Sequence, residues 1–457
     1  MQVEISDVSA LERSTMRRVI LRLVPFLMVS YFMALLDRVN IGFAALQMNA
    51  DLGLSHSMFG FAASLYFVAY FIAEVPSNLA LERFGARRWI ARIMITWGLI
   101  ASLMAFVVGP HSLYVMRFLL GAAEAGFFPG TILYLSYWLP KRYRAQVLGI
   151  VATSNALASF ASGPLSVALL KLHGVGGLRG WQWLFLLEGV PAVMLGIAAL
   201  FILVDSPANA RFLSPVQTDW LQACLASERS QGSTVGHLSL WALLRNPYFL
   251  IMALLCSVAS ATSSVLAVWQ PQFLKSFGLT NTETGFVNSI PYAFTVVAMI
   301  LWARHSDRTG ERRFHTAVPL LLTAIGFAVI SLGGVPLPAV LVCLTCCLVG
   351  AYSFKGPFWA MSSQILSPRT MAAGVAGINA IANLIGGGLM VNVVAQIKQH
   401  TGSYSLAMSP LVVLAVLAVV GLLDCYAKRQ AACWRGGSFF CTKGVTSFVD
   451  RRALVDS

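Results

Sequence analysis

Twelve apolar stretches, each about 20 residues long, constrain the fold of this 457-residue chain more than any other feature. A helix of about 20 residues crosses the ~30 Å hydrocarbon core of a bilayer, so each stretch predicts one membrane span. The composition agrees, because 58% of the residues are hydrophobic and 11% are charged, whereas roughly 25% are charged in soluble domains. The sequence therefore predicts an all-α integral membrane protein and excludes an ordinary soluble enzyme.

The predicted spans, numbered 1 to 12 along the chain, fall into two groups of six. They cover residues 23–46, 57–81, 89–108, 113–139, 147–172, 183–204, 249–274, 284–302, 316–332, 339–366, 371–394 and 406–423. This division predicts a cytoplasmic N-terminal segment (1–22), an N-terminal six-helix bundle (23–204), a cytoplasmic linker (205–245), a C-terminal six-helix bundle (246–424) and a cytoplasmic tail (425–457).

The distribution of Lys and Arg orients these spans, because cytoplasmic loops carry an excess of basic residues. With the N-terminus in the cytoplasm, 25 of the 32 basic residues lie in cytoplasmic segments and 4 lie in outward loops. Both termini are therefore predicted to be cytoplasmic. The net charge of +14 reflects this topology and does not predict nucleic-acid binding.

Two predicted cytoplasmic loops repeat the same pattern of an acid, an Arg, a Gly and two Arg residues, 225 residues apart. The repeat predicts a duplicated bundle, in which the loops form contacts that change between states. Basic topology plus a turn glycine would explain either loop alone. The candidate gating residues are Glu82, Arg83, Gly85, Arg87 and Arg88 in the first loop and Asp307, Arg308, Gly310, Arg312 and Arg313 in the second.

Seven charged residues lie in the predicted spans away from their ends, where charges are costly and mark function by default. They are Arg38, Arg117, Lys355, Asp37, Glu74, Glu124 and Glu188. Adjacent helical residues point ~100° apart, so one of Asp37 and Arg38 is expected to line a cavity while the other faces a neighbouring helix. Arg117 and Glu124 lie two turns apart on one face of span 4, where a changing separation would load or release a proton. A fixed structural ion pair is the alternative in both cases.

We expect different roles for the other three intramembrane charges. Glu74 is expected to act in gating, as a partner of the nearby cytoplasmic Arg cluster. Glu188 is expected near the outer end of span 6, within reach of interfacial water or Arg179, in a structural role. Lys355 lies mid-span in span 10, and the sequence leaves open whether it faces the cavity.

Longer motifs identify a family resemblance. The second cytoplasmic loop resembles the signature of the major facilitator superfamily, and several intramembrane motifs are similar to the anion:cation symporter family. They are Leu36-Asp37-Arg38-Val39-Asn40-Ile41-Gly42, Glu74-Val75-Pro76-Ser77-Asn78, residues 117–130, Glu188-Gly189-Val190-Pro191 and Gly356-Pro357-Phe358-Trp359. The resemblance covers about residues 15 to 420 and implies two pseudo-symmetric six-helix bundles in the bacterial inner membrane.

The resemblance also implies a function. Members carry organic anions such as tartrate, galactonate, glucarate, hexuronates or phthalate together with protons. It implies that Asp37 and Glu124 are protonation sites and that Arg38 holds the substrate carboxylate. By family position it favours Tyr70, Asn155, Trp359 and Asn379 as pocket residues. Arg117 and Lys355 are further candidate substrate-binding residues. The expected partners are a small organic anion, protons and the lipid bilayer, with no nucleic acid, no cofactor or metal, and a monomeric state.

Competing functions are a proton-coupled multidrug or metabolite antiporter, a membrane receptor and an intramembrane enzyme. The antiporter is weakened because Ser159, Val167 and Ala168 replace glycines expected around Gly163-Pro164. A receptor would not require duplicated gating loops or paired buried acids. The sequence contains neither an HExxH nor a GxSxG motif, which disfavours the enzyme.

Overall fold

Twelve helices in the computed structural model are long and apolar enough to cross a membrane, as predicted. The structure describes residues 2–230, 245–365 and 371–435. Spans 1 to 12 are Ala10–Asp51, His56–Phe84, Ala86–Phe106, Pro110–Ser136, Lys141–Leu170, Gly180–Ile202, Phe249–Lys275, Asn281–Thr309, Phe314–Ser331, Leu337–Trp359, Gly377–Thr401 and Tyr404–Asp424. The all-helical, twelve-span prediction is confirmed.

Helical structure is also present in the three segments that were predicted to be cytoplasmic. The first runs without interruption over Gln2–Asp51, so the predicted N-terminal segment continues span 1 as one helix. The predicted linker contains the helix Pro215–Ser230. The last helix, Ser409–Arg435, continues past the predicted end of span 12. Residues 231–244 of the predicted linker and the tail after residue 435 lie outside the described residues.

The spans pack in two halves. In the first half, span 3 packs on span 6, span 2 on span 4, and span 1 on spans 5 and 6. In the second, span 10 packs on spans 8 and 9, and span 7 packs on spans 11 and 12. Spans 1, 2 and 5 of the first half face spans 7, 11 and 8 of the second. The interface between the halves is formed by spans 1, 2 and 5 on one side and by spans 7, 8 and 11 on the other, and Tyr352 of span 10 reaches Asn155 of span 5. The cavity expected from the sequence would lie between these surfaces.

Two spans are interrupted where site residues lie. Span 4 changes direction at Gly126, between the helices Pro110–Glu124 and Phe127–Ser136. Gly126 has φ +86°, and a β-carbon there would lie 2.4 Å from Ser77 Oγ, so this position requires glycine. Span 10 is interrupted at Phe354, between Leu337–Ser353 and Lys355–Ile365. Glu124 ends one helical segment where the backbone is irregular, and irregular backbone within a membrane typically lines a cavity. At the junction before Lys355, Phe354 keeps helical dihedral angles of φ −57° and ψ −39°.

The two halves contact each other at the end of the bundle opposite the termini. Asn49 Nδ2 donates a hydrogen bond to Gln272 Oε1 over 3.2 Å, joining spans 1 and 7. Ser57 Oγ of span 2 lies 3.1 Å from Gln396 Oε1 of span 11. The molecule is therefore closed at this end.

At this closed end, the backbones of spans 5 and 8 come closest to each other. A β-carbon on Gly163 would lie 2.2 Å from the carbonyl oxygen of Gly285, closer than any side chain tolerates. Ser289 Oγ donates to the Phe160 carbonyl oxygen over 2.8 Å beside this contact. The closed arrangement consequently depends on glycine at position 163.

We expect Gly163→Ala to open the closed end. Overpacking of this kind costs about 1–3 kcal/mol, which shifts the closed-to-open ratio by roughly 5- to 150-fold. Spin labels on cysteines replacing the exposed Ala50 and Ser276, with the native cysteines replaced, report the separation of spans 1 and 7. The variant should gain a population at longer distance.

The matched control is Gly149→Ala in the same helix, because a β-carbon at Gly149 meets no atom within 4 Å. Its distance distribution should equal that of the parent. An unchanged distribution in Gly163→Ala would show that the glycine contact does not hold the closed arrangement.

Candidate functional site

An ion pair between spans 1 and 4 forms the centre of the site. Arg38 Nε and Nη2 each lie 2.8 Å from Glu124 Oε1. The Glu124 side chain is 1% exposed, whereas the Arg38 side chain is 25% exposed. The Glu124 carboxylate is thus buried, whereas part of the Arg38 side chain is exposed.

Two tyrosines of span 2 surround this pair. Tyr66 donates its hydroxyl hydrogen to Glu124 Oε2 over 2.6 Å. The Arg38 Cζ atom lies 4.9 Å from the ring centroid of Tyr70 and 5.8 Å from that of Tyr66. Cation–π contacts of this kind hold an arginine in place while leaving its outer N–H groups available. The predicted site residue Tyr70 therefore lies against the guanidinium predicted to bind substrate.

Asp37 points away from the cavity, into the first half. Its carboxylate accepts a hydrogen bond from Trp97 Nε1 of span 3 and another from Asn40 Nδ2 over 3.3 Å. The residue is 1% exposed. The two neighbours Asp37 and Arg38 thus face different surroundings, as their ~100° separation predicts.

Arg117 does not pair with Glu124 as the sequence suggested, because Arg38 occupies that carboxylate. It is 1% exposed, and its Cζ atom lies 4.7 Å from the ring centroid of Tyr66. Its Nε and Nη1 atoms are buried without a hydrogen-bond partner. Tyr66 consequently contacts both arginines and the acid. A substrate-binding role for Arg117 stays a prediction.

The second half contributes Tyr352 and Lys355 from span 10. The Tyr352 hydroxyl donates to Asn155 Oδ1 of span 5 over 3.2 Å and lies 3.4 Å from Ser159 Oγ. Lys355 Nζ lies 4.9 Å from the centroid of the Tyr352 ring. The predicted site residues Asn155 and Lys355 are therefore linked through a tyrosine that sequence reasoning missed. Its aromatic ring in an apolar helix carried no distinguishing signal.

The remaining predicted pocket residues lie on spans 10 and 11. Trp359 is half-buried, with its ring centroid 4.9 Å from that of Phe358. Asn379 is half-buried on the helix Met371–Asn383. Their substrate-binding roles stay predictions.

Two buried acids lie in surroundings that differ from the expectation. Glu188 does not reach interfacial water or Arg179, because it is 1% exposed in the third turn of span 6, near Asp37 and Asn40. Within the described ranges, neither of its carboxyl oxygens has a hydrogen-bond partner. Glu74 is half-buried, and the charge that acts on its carboxyl group is that of Arg38. Glu74 thus belongs to the surroundings of the central ion pair.

The duplicated loops carry turn glycines at equivalent positions. Gly85 has φ +88° and Gly310 has φ +67°. Asp307 Oδ1 accepts from Arg312 Nη1 over 2.9 Å, and Arg312 also donates to Ser306 Oγ over 2.8 Å. Among the candidate gating residues, the exposed side chains are those of Glu82, Arg83, Arg88, Asp307 and Arg308. The side chain of Arg313 lies outside the described residues.

Two acids outside the candidate gating residues cap the helices that follow the two loops. Glu311 accepts the backbone N–H of Phe314 over 2.9 Å at the start of span 9. The equivalent position in the first loop is Ala86, and there Asp205 accepts the backbone N–H of Arg87 over 2.9 Å. A carboxylate at a helix N-terminus satisfies free N–H groups and the helix dipole. Asp205, just after the end of span 6, thus provides the capping carboxylate that the first loop lacks at Ala86.

Comparison with known proteins agrees with this architecture. The Major Facilitator Superfamily model matches residues 27–391. The chain is 48% identical over 395 residues to the "Putative tartrate transporter" of Agrobacterium vitis, covering 86% of this chain and 87% of that relative. It is 35% identical over 425 residues to the "Quinolone resistance transporter" of Acinetobacter baumannii, covering 92% of this chain and 96% of the relative.

A solved structure has the same fold. A bacterial homologue of the human lysosomal transporter Spinster, in an inward-facing and occupied conformation, superposes with a TM-score of 0.72 at 16% identity, covering 88% of this chain and 96% of that one. The predicted superfamily and its fold are confirmed, and the similarity to a tartrate transporter accords with the anion:cation symporter resemblance. The protein is a multi-pass membrane transporter and not an enzyme. The chain belongs to the Major Facilitator Superfamily.

Proposed function

We propose that this transporter imports a small organic anion together with protons across the bacterial inner membrane, with both termini in the cytoplasm. The observation that carries the proposal is the Arg38–Glu124 pair, with contacts of 2.8 Å and with part of the guanidinium exposed. Arginine binds carboxylates through two parallel hydrogen bonds. A substrate carboxylate and Glu124 therefore compete for the same cation.

This competition couples substrate to protons. A proton on Glu124 removes the negative charge that holds Arg38, and the guanidinium then becomes available to a substrate carboxylate. Loss of the proton restores the ion pair and expels the substrate. Binding and protonation thus favour each other, which is the linkage that a symporter requires.

Asp37 is the second proton site in this proposal. It directly precedes Arg38 in the chain and accepts hydrogen bonds from Trp97 and Asn40 within the first half. A change in its charge acts on Arg38 through the shared helix and through the low-dielectric interior. Two carboxyl groups allow one or two protons per cycle. A monovalent anion entering with one proton moves no net charge, whereas two protons bring +1 inward, worth ~2.3 kcal/mol per 100 mV. A dianion such as tartrate moves no net charge when two protons accompany it.

Alternating access of the two halves provides the route. The halves are in contact at the end opposite the termini, through Asn49 with Gln272 and Ser57 with Gln396. With both termini in the cytoplasm, this is an inward-facing arrangement. In the outward-facing state these contacts would separate and the cytoplasmic ends would close.

A sugar acid, a dicarboxylate or an aromatic acid fits the polar and aromatic lining. The 48% identity to the Agrobacterium vitis relative favours tartrate as the first compound to test. The 35% identity to the Acinetobacter baumannii quinolone resistance transporter supports a second candidate, a proton-coupled multidrug or metabolite antiporter. The two functions predict opposite directions of substrate movement relative to protons.

Uptake by purified protein in liposomes tests the proposal. A pH gradient of one unit, acidic outside, is worth about tenfold accumulation per proton carried. Labelled tartrate, a sugar acid and an aromatic acid would each be offered in turn, and at least one should accumulate inside. Accumulation of none of them, together with proton-driven movement of a quinolone in the opposite direction, would favour the antiporter.

A further inference from the structure

Lys355 is a cation without an acidic partner. In the part of the chain that the structure describes, no carboxylate lies at ion-pair distance from its ammonium group. The groups that act on it are Cys256 of span 7, Arg38 of span 1 and the ring of Tyr352. Since an unpaired charge inside a membrane is costly, an anionic ligand would offset part of that cost.

Lys355 is the only one of the seven intramembrane charges that the second half provides. The other six lie on spans 1, 2, 4 and 6 of the first half. Lys355 Nζ lies 4.9 Å from the centroid of the Tyr352 ring, and the Tyr352 hydroxyl donates to Asn155 of span 5, so Lys355 lies where the second half meets the first. Arg38 of the first half has a partly exposed side chain. Arg38 has Glu124 as its internal competitor, whereas the described residues provide no such competitor for Lys355.

We propose that Lys355 determines specificity for dicarboxylates, by binding the second carboxylate of a substrate whose first carboxylate is bound by Arg38. This inference rests on the proposed function and narrows its substrate class. A dianion offers one charge to each half, and it relieves the repulsion between the two cations. A monocarboxylate satisfies Arg38 and leaves Lys355 unpaired.

Binding of one dianion by both halves also accounts for the position of Lys355 at the junction in span 10. Lys355 follows Phe354, where the helices Leu337–Ser353 and Lys355–Ile365 meet. Tyr352, one turn earlier, already connects the halves through Asn155. A ligand held by Lys355 and Arg38 would add a second connection at this level of the cavity.

The test compares tartrate with its monoamide, which has nearly the same size and shape but one carboxylate fewer. Binding of each is measured by calorimetry on the purified full-length protein, without any proton gradient. The parent protein should bind tartrate roughly tenfold or more tightly than the monoamide, the range of one charge-assisted hydrogen bond. Lys355→Met should lose this preference, with weaker tartrate binding and unchanged binding of the monoamide.

Two control variants separate charge from structure. Lys355→Arg keeps the cation and should keep the preference for tartrate. Lys275→Met removes a lysine at the end of span 7 and should leave both affinities unchanged. A preference retained in Lys355→Met, or an equal loss of both affinities, would overturn the assignment.

Equal binding of tartrate and its monoamide by the parent protein would also overturn the assignment of Lys355. The test therefore does not depend on the folding of a variant. This outcome differs from failure of the proposed function, in which no organic anion would bind or move at all.

Discussion

Replacing Arg38 with Ala is expected to abolish binding of the organic anion while leaving the protein inserted in the membrane. The guanidinium is the exposed cation at the centre of the site, 2.8 Å from Glu124 Oε1. Truncating one partner of a buried, hydrogen-bonded charge pair costs about 2–5 kcal/mol, so affinity should fall roughly 30-fold or more. Calorimetry with tartrate on the purified protein measures the loss.

Arg38→Lys keeps the charge but removes the planar fork that two parallel hydrogen bonds require. Its affinity should therefore lie between those of the parent and Arg38→Ala. The matched control is Arg179→Ala, which removes an exposed arginine paired with Asp51 outside the cavity. It should bind tartrate like the parent. Undiminished binding by a folded Arg38→Ala protein would exclude the carboxylate role of this residue.

Replacing Glu124 with Gln, or Asp37 with Asn, is expected to stop proton-driven accumulation while preserving exchange of substrate. An amide cannot release a proton, and at position 124 it mimics the neutral acid, which leaves Arg38 available to the anion. In proteoliposomes with a pH gradient of one unit, the parent should accumulate substrate about tenfold per proton. Each variant should only equilibrate it, whereas counterflow of labelled against unlabelled substrate should continue.

Glu283→Gln is the matched control for these substitutions. Glu283 is an exposed residue in the first turn of span 8 that accepts the backbone N–H of Thr280 over 2.7 Å. Glutamine fulfils the same capping role, so accumulation should be unchanged. Normal accumulation by Glu124→Gln or by Asp37→Asn would show that the replaced acid is not an obligatory proton carrier.

The twelve spans could be predicted because membrane helices require long apolar runs, and charge asymmetry oriented them. The opposing directions of Asp37 and Arg38 followed from helix geometry alone. In each case the determining interaction is local in sequence or is made with the bilayer. Such properties do not require knowledge of tertiary packing.

The partners of the buried charges could not be predicted in the same way. Glu124 pairs with Arg38 of another helix and not with Arg117 two turns away, because interhelical rotation decides which side chains meet. Glu188 lies near Asp37 and Asn40, although its sequence position suggested the outer interface. Asp205 replaces the acid that Ala86 cannot supply, over a sequence separation of more than a hundred residues. Long-range contacts of this kind carry no local pattern.

The interruptions of spans 4 and 10 had a partial signal. Gly126 marks the first, and its positive φ of +86° shows why glycine stands there. Span 10 divides at Phe354, and Pro357 marks this point because proline lacks the N–H that would donate to the Ser353 carbonyl oxygen four residues earlier. Each interruption thus had one residue in the sequence that indicated it.

The direction of proton movement tests the central claim most directly. Purified protein in liposomes that enclose a pH-sensitive dye, without any imposed gradient, would receive tartrate from outside. Import with protons predicts that the interior becomes more acidic as labelled tartrate enters, and that Glu124→Gln shows entry by exchange without acidification. An interior that becomes alkaline, or tartrate entry with no pH change in the parent protein, would contradict proton symport.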